Sequence, residues 1–311
     1  MKILFTFPGQ GAQVAGMLHQ LPDNMASRQL VVQASDALSE NVLTLDSDSA
    51  LHHTRAVQLC LLIAGVAYAT ELDMLDVTPD IVSGLSIGAF PAAVISGALD
   101  FSDAVRLVAL RGELMECAYP QGYGLTAISG LLQPQMERLL AEEYSVASPV
   151  YLANINAEDQ MVIAGSDAAM QRVIQRARDA GAHKAQRLAV SVPSHCALLD
   201  EAAQQLSDAL QKVKVQRPRV AYLSGSNGRV YWQPEQISRD LALNMARTVH
   251  WHDAMIAASE RGVQLAIEMP PGAVLTGLTR RALVQGEAIS RCQLGVKAVT
   301  EIVARYRRYA R

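Results

Sequence analysis

A chain of 311 residues, half of them hydrophobic, has enough apolar surface for one large core or for a large domain with a smaller companion. Charged residues make up only 18% of it and the net charge is -3, which leaves no composition for long disordered tails and no electrostatic ground for binding nucleic acid. Cys60, Cys117, Cys196 and Cys292 stand far apart without a Cys-x-x-Cys pair or a secretory signal, so they read as buried, reduced thiols of a cytoplasmic protein.

Residues 2–7 are an apolar run that meets Pro8-Gly9 too early for a signal h-region, and predict a first strand. The loop Phe7-Pro8-Gly9-Gln10-Gly11-Ala12-Gln13 is stiff enough to aim backbone amides, although a plain βα turn explains its glycines equally well. Residues 24–53 hold polar helical fragments and the pair His52-His53, which has no carboxylate or thiol at ligand spacing and implies no metal. Residues 54–75 are almost all apolar and predict a helix buried on most sides; their longest apolar run, 59–69, is too short to span a membrane.

The strongest chemical signal is Ile81-Val82-Ser83-Gly84-Leu85-Ser86-Ile87-Gly88. It reads as a strand, a sharp turn and a helix, with the hydroxyl of Ser86 at the apex and glycines where backbone must pass backbone. Amides of the new helix would face negative charge developing on anything bonded to Ser86, as acyl transfer requires. An ordinary strand-to-helix turn would also favour Gly and Ser. Pro91 suits the first turn of that helix, and a second helix is expected from about residue 101, capped by Ser102 or Asp103. Arg111 lies inside its apolar stretch, either paired with a neighbouring glutamate or held in a pocket as a carboxylate clamp.

Past Tyr119-Pro120-Gln121-Gly122 the rhythm becomes strand 125–131, helix 133–143, strand 150–156, strand 160–165, helix 167–180 and strand 185–192. That β-α-β-β-α-β order predicts a ferredoxin-like subdomain at residues 123–192, forming one wall of a cleft, inserted into a large α/β domain of residues 1–122 and 193–311. The chain leaves it through Val192-Pro193-Ser194-His195-Cys196-Ala197, where proline stiffens the loop that presents His195, the histidine best placed to serve Ser86 as a base. A helix is expected over 197–213, a strand over 220–224, a helix over 241–257 broken near Arg247-Thr248, and a strand over 264–269 leading into Pro270-Pro271-Gly272 and a further helix. The closing Arg305-Tyr306-Arg307-Arg308-Tyr309-Ala310-Arg311 suits a helix C-terminus, with contact to an acidic partner as the other reading.

Taken together, these motifs resemble the malonyl-CoA:acyl carrier protein transacylase family. The matching pieces are the 7–13 loop, Gly84-Leu85-Ser86-Ile87-Gly88, Leu110-Arg111-Gly112 with Met115, Val192-Pro193-Ser194-His195-Cys196-Ala197, and Pro271-Gly272-Ala273-Val274-Leu275-Thr276-Gly277-Leu278-Thr279, in the family's order over essentially the whole chain. The resemblance implies an α/β hydrolase-like large domain with a parallel sheet core, interrupted by the ferredoxin-like insertion. It implies Ser86 as nucleophile, His195 as general base, Arg111 as partner of the free malonyl carboxylate, and the amides of Gln10 and Ile87 as oxyanion hole. It further implies a backbone carbonyl, placed at Asn244, orienting the base. No cofactor or metal would be bound permanently: malonyl-CoA is the donor and the phosphopantetheine-type thiol of an acyl carrier protein the acceptor, without nucleic acid or membrane.

Two positions depart from the pattern. Leu85 and Ala89 stand where the family usually has His and Glu, a wording that resembles more closely the transacylase subunit of biotin-independent malonate decarboxylase. On that branch the acceptor is a carrier subunit with a phosphoribosyl-dephospho-CoA arm, and the other subunits of the complex become partners. The alternatives are a transacylase of fatty-acid or polyketide synthesis, an esterase built on Gly-x-Ser-x-Gly, and a non-catalytic docking subunit that has kept the fold.

Overall fold

The computed structural model describes residues 1–119 and 121–309; Pro120 and the last two residues of the basic C-terminal run, Ala310 and Arg311, lie outside the described residues. Strand β1 (Lys2–Phe7) leads to α1 (Met25–Leu38), whose N-terminus is capped by the Asn24 side chain, and then to α2 (Thr54–Asp73). By length and composition α2 could cross a membrane, which the 59–69 run alone did not suggest, but 78% of its most apolar window is buried in the protein. It is the central helix of the core. Next come β2 (Ile81–Gly84), α3 (Ala89–Ile95) and α4 (Phe101–Ala118). Asp100, not Ser102 or Asp103, caps α4: its carboxylate accepts from the N–H of both those residues, which already belong to the first turn.

The expected β-α-β-β-α-β unit follows as β3 (Tyr123–Ser129), α5 (Gln133–Glu143), β4 (Val150–Ala157), β5 (Gln160–Ser166), α6 (Asp167–Asp179) and β6 (Lys184–Arg187). Its antiparallel sheet has the order β4-β5-β3-β6, with α5 and α6 packed on it around a core of their own. Strand β6 ends at Arg187 and does not run to Val192. The Arg187 guanidinium takes the carbonyls of Tyr123 and Leu125 on β3 and that of Val190, so the chain turns off the sheet there.

The last third gives α7 (Asp200–Leu210), β7 (Ala221–Ser224), β8 (Val230–Tyr231), α8 (Pro234–Leu243), α9 (Trp251–Glu260), β9 (Val263–Glu268), α10 (Val274–Ala282), β10 (Glu287–Ser290) and α11 (Val296–Tyr309). The expected helix break at 247–248 is present, but its first half begins at Pro234. The main sheet has the order β10-β9-β1-β2-β7-β8, parallel throughout except for the antiparallel β7–β8 pair. A bridge between Asn154 of β4 and Val249, in the segment just before α9, ties the small sheet to the large domain, and the cleft lies beside it. Of the cysteines, Cys60 and Cys196 are buried as expected while Cys117 and Cys292, at the ends of α4 and β10, are exposed.

Candidate active site

Ser86 sits directly after the C-terminal end of β2, where ligands gather in open α/β sheets. Its φ of 58° is in the left-handed region, which a residue with a Cβ occupies only under constraint. The constraint is steric. A Cβ on Gly84 would lie 1.9 Å from the carbonyl carbon and oxygen of Gly88, and one on Gly88 would lie 2.1 Å from the carbonyl oxygen of Phe7. The N–H of Leu85 donates to that same oxygen at 3.0 Å, so the end of β1 and the start of the helix clamp the turn and push Ser86 outward.

The loop after β6 brings His195 to it from 109 residues away. His195 is also left-handed, with φ 66°, held by its N–H donating to the carbonyl of Met245 at 2.6 Å. Its Nδ1 lies 2.7 Å from the carbonyl oxygen of Asn244, which can only accept, so Nδ1 carries the hydrogen and Nε2 presents a lone pair. Nε2 is 2.9 Å from Ser86 Oγ and accepts its hydrogen. Burial, and after it the charge of Arg111, pull the His195 pKa down to about 4 against the opposing effect of the Asn244 and Arg247 backbone.

Arg111, on α4, is completely buried, yet no carboxylate pairs with it among the described residues. Its acceptors are all neutral: Gln58 Oε1 at 2.7 Å from Nη1, and Ser86 Oγ at 3.2 Å and Asn244 Oδ1 at 3.0 Å from Nη2. Nε has no acceptor. Burial lowers the pKa to about 9, which leaves the group cationic at neutral pH. Of the two readings of Arg111 the surface ion pair is excluded, and what stands is a buried cation without a counterion among the described residues, beside the Ser86 hydroxyl.

Gln10 and Ile87 flank the same turn. A Cβ on Gly9 would meet the side chain of Leu85 at 2.7 Å and its carbonyl at 3.0 Å, which places the Pro8-Gly9-Gln10 backbone against the serine turn. Ile87 is fully buried, and among the described residues neither its N–H nor that of Gln10 has an acceptor. Ser86, His195, Arg111 and Asn244 are thus in direct contact, with the two free amides beside them.

The model of the acyl transferase domain family matches residues 4–306. The chain belongs to this family. As a member of it, the protein is 37% identical over 302 residues to the malonyl CoA-acyl carrier protein transacylase of Haemophilus influenzae, covering 93% of this chain and 95% of that one. Among solved structures it superposes on the malonyl CoA-acyl carrier protein transacylase of Coxiella burnetii with a TM-score of 0.91 at 31% identity over 98% of both chains. A malonyl-transacylase in complex with its type II polyketide synthase acyl carrier protein matches with a TM-score of 0.90 at 32% identity, over 96% of this chain and 99% of that one.

A cleft of about 420 Å³ reaches His195 from the side of the small sheet, lined by Glu137, Tyr151, Ile155, His195, Arg247 and His250 among others. That is room for a narrow acyl-thioester arm. Leu85 packs among apolar side chains of the β2, β7 and α9 region and Ala89 is buried, so neither departure from the family pattern intrudes on the Ser86–His195 contact. The His52-His53 pair lies elsewhere, with His53 Nδ1 on Glu116 at 2.7 Å.

Two parts of the site were not read from the sequence. Gln58 is buried in α2 and holds Arg111, and a glutamine inside the apolar middle of that helix was the available signal. The side chain of Asn244 was the other. Only its carbonyl was expected to act, yet Oδ1 accepts from Arg111 and Nδ2 donates to the Ser86 carbonyl at 3.3 Å.

Proposed function

We propose that this acyltransferase moves a malonyl group from malonyl-CoA, through a malonyl-serine ester on Ser86, to the thiol of an acyl carrier protein. The observation that carries the reading is the convergence on Ser86 Oγ of a neutral imidazole at 2.9 Å and an unpaired buried guanidinium at 3.2 Å. His195 Nε2 takes the hydroxyl proton as Oγ adds to the thioester carbonyl, and the amides of Gln10 and Ile87 hold the oxyanion. Collapse breaks the C–S bond, and the departing CoA sulfur receives the proton from His195. The carrier thiol then gives its proton to Nε2 and adds to the ester; Oγ leaves and takes that proton back.

Arg111 selects the donor. Its planar fork binds both oxygens of the free carboxylate, whereas a neutral acyl group leaves the buried charge unanswered. All acid–base and electrophilic roles are filled by protein groups, so the chemistry calls for no resident cofactor. In this reading residues 123–192 are the inserted wall over which the acyl arm lies, and 1–122 with 193–311 the acyltransferase body. Mass spectrometry after brief exposure to malonyl-CoA, without carrier, tests it: a malonyl adduct on the Ser86 peptide, absent from Ser86→Ala, is expected. An unmodified Ser86 would leave a docking subunit, and fast hydrolysis with no preference for malonyl an esterase.

The relatives, named as malonyl transacylases of acyl carrier proteins, favour the fatty-acid or polyketide type. Leu85 and Ala89 favour the malonate decarboxylase type instead. Transfer to a carrier with an ordinary phosphopantetheine arm, measured against one with the phosphoribosyl-linked arm, separates the two; preference for the ordinary arm removes the second.

A further inference from the structure

We infer that the side-chain amide of Asn244 is a positioning residue that keeps the buried Arg111 aimed, and its charge unspent, until a substrate carboxylate arrives. The inference rests on the proposed role of Arg111 and extends it to a residue that touches all three working groups. The carbonyl of Asn244 accepts from His195 Nδ1 at 2.7 Å, its Oδ1 accepts from Arg111 Nη2 at 3.0 Å, and its Nδ2 donates to the Ser86 carbonyl at 3.3 Å. The first contact uses backbone and survives any substitution; the other two need the side chain.

Chemistry narrows which side chain can stand there. An apolar residue would leave an N–H of a buried guanidinium without an acceptor and the Ser86 carbonyl without a donor. A carboxylate would satisfy Arg111 with a buried ion pair, competing with the carboxylate of the donor for the same fork, and would offer the Ser86 carbonyl no N–H. An amide offers one acceptor and one donor and carries no charge. Gln58 plays the matching neutral part on Nη1. The cation is therefore held by dipoles on two sides, and among the described residues Nε has no acceptor.

Asn244→Asp and Asn244→Ala test this in the full chain, with malonyl-CoA and acetyl-CoA as donors. Asn244→Asp is expected to raise KM for malonyl-CoA at least about tenfold and to slow the acetyl-CoA reaction by a clearly smaller factor, since the lost donor to the Ser86 carbonyl affects both donors but the competing carboxylate only malonyl. It should also move the acid limb of kcat/KM upward, because a new carboxylate offsets the charge Arg111 exerts on His195. The other ionisable groups around His195 are Cys196, Glu137, Tyr151, Arg247 with its partner Asp200, and His250, and neither variant alters them. Asn244→Ala keeps the acid limb low and lowers the preference for malonyl over acetyl by about tenfold. Equal losses with both donors and an unmoved acid limb in Asn244→Asp would reduce Asn244 to a structural role and overturn the inference while Ser86 still becomes malonylated. A wild-type Ser86 that malonyl-CoA does not acylate would overturn the reading of the site itself.

Discussion

His195 Nδ1 donates to the carbonyl oxygen of Asn244 across 2.7 Å, in the place where many hydrolytic triads put a carboxylate. A carbonyl fixes the tautomer and the ring plane as a carboxylate would, but adds no negative charge. Only the Asn244 and Arg247 backbone then opposes burial and Arg111, and too weakly, so its pKa falls to about 4. The base is weak but stays unprotonated far into acid.

That gives a pH–rate prediction. kcat/KM for malonyl-CoA reports the free enzyme, and should stay level from neutral pH down to about 5, falling only as His195 protonates near 4. Once a malonyl carboxylate sits on Arg111 the guanidinium charge is offset, and the imidazole becomes more basic. The acid limb of kcat should therefore lie above that of kcat/KM. An acid limb of kcat/KM near the ordinary histidine value would mean that His195 is not held neutral.

The same shift predicts a stability difference. Between pH 6.5, the ordinary value, and about 4 the unfolded chain binds a proton at His195 that the folded chain refuses, so the stability this position contributes is complete above 6.5 and is lost as pH falls through that window. The loss amounts to roughly 2–3 kcal/mol by pH 4.5. Asp240 and Glu268, raised by burial, act in the opposite direction in both proteins, which makes the comparison with His195→Gln the informative one. Urea unfolding at pH 7.5 and 4.5 should show the wild type losing more stability than the variant.

Sterics at the Ser86 turn predict a third result. Gly84→Ala and Gly88→Ala each drive a methyl into backbone atoms, 1.9 Å away in Gly88 and 2.1 Å away in Phe7, and the Phe7 carbonyl cannot move without losing the Leu85 N–H that ties β1 to the turn. Each should cost about 3 kcal/mol or more and remove activity along with it. Gly277, in α10 with open space around its missing Cβ, is the control. Gly277→Ala should be neutral or stabilise by up to about 1 kcal/mol.

Where pattern and stereochemistry agreed, the fold was legible in the sequence. The apolar strand before Ser86, the Gly-x-Ser-x-Gly spacing and the β-α-β-β-α-β rhythm are local signals, and apart from the end of β6 each element appeared within a few residues of its expected place. The short strands β8 and β10 were not legible. Val230-Tyr231 and Glu287–Ser290 are strands because a neighbour supplies the hydrogen bonds, not because of their own pattern. The end of β6 was misplaced for a related reason, since Arg187 folds back on β3 from a distance no periodicity reveals. At the site, Ser86 and His195 announced themselves through glycine and proline nearby. Gln58 and the Asn244 side chain did not, because their purpose is visible only once a buried arginine on another helix needs acceptors.

That arginine supplies the last prediction. Arg111→Ala removes a charge that has three neutral hydrogen-bond acceptors and, among the described residues, no counterion, so part of its effect is structural: Gln58 Oε1 and Asn244 Oδ1 lose their donors in a buried setting. That structural cost falls equally on every donor substrate. The carboxylate contact does not, because only malonyl-CoA offers a partner, and for acetyl-CoA the guanidinium is an uncompensated charge beside a neutral methyl. Removing it should lower kcat/KM for malonyl-CoA by roughly 10²–10³-fold while leaving acetyl-CoA within about tenfold of wild type, in either direction. Arg111→Lys should recover little of the malonyl rate, since an ammonium offers one charged point where the carboxylate needs a planar pair of donors. Steady-state kinetics with both donors on all three proteins reads the two effects apart; parallel losses would place Arg111 with the scaffold and leave the preference for a dicarboxylic half-thioester without its source.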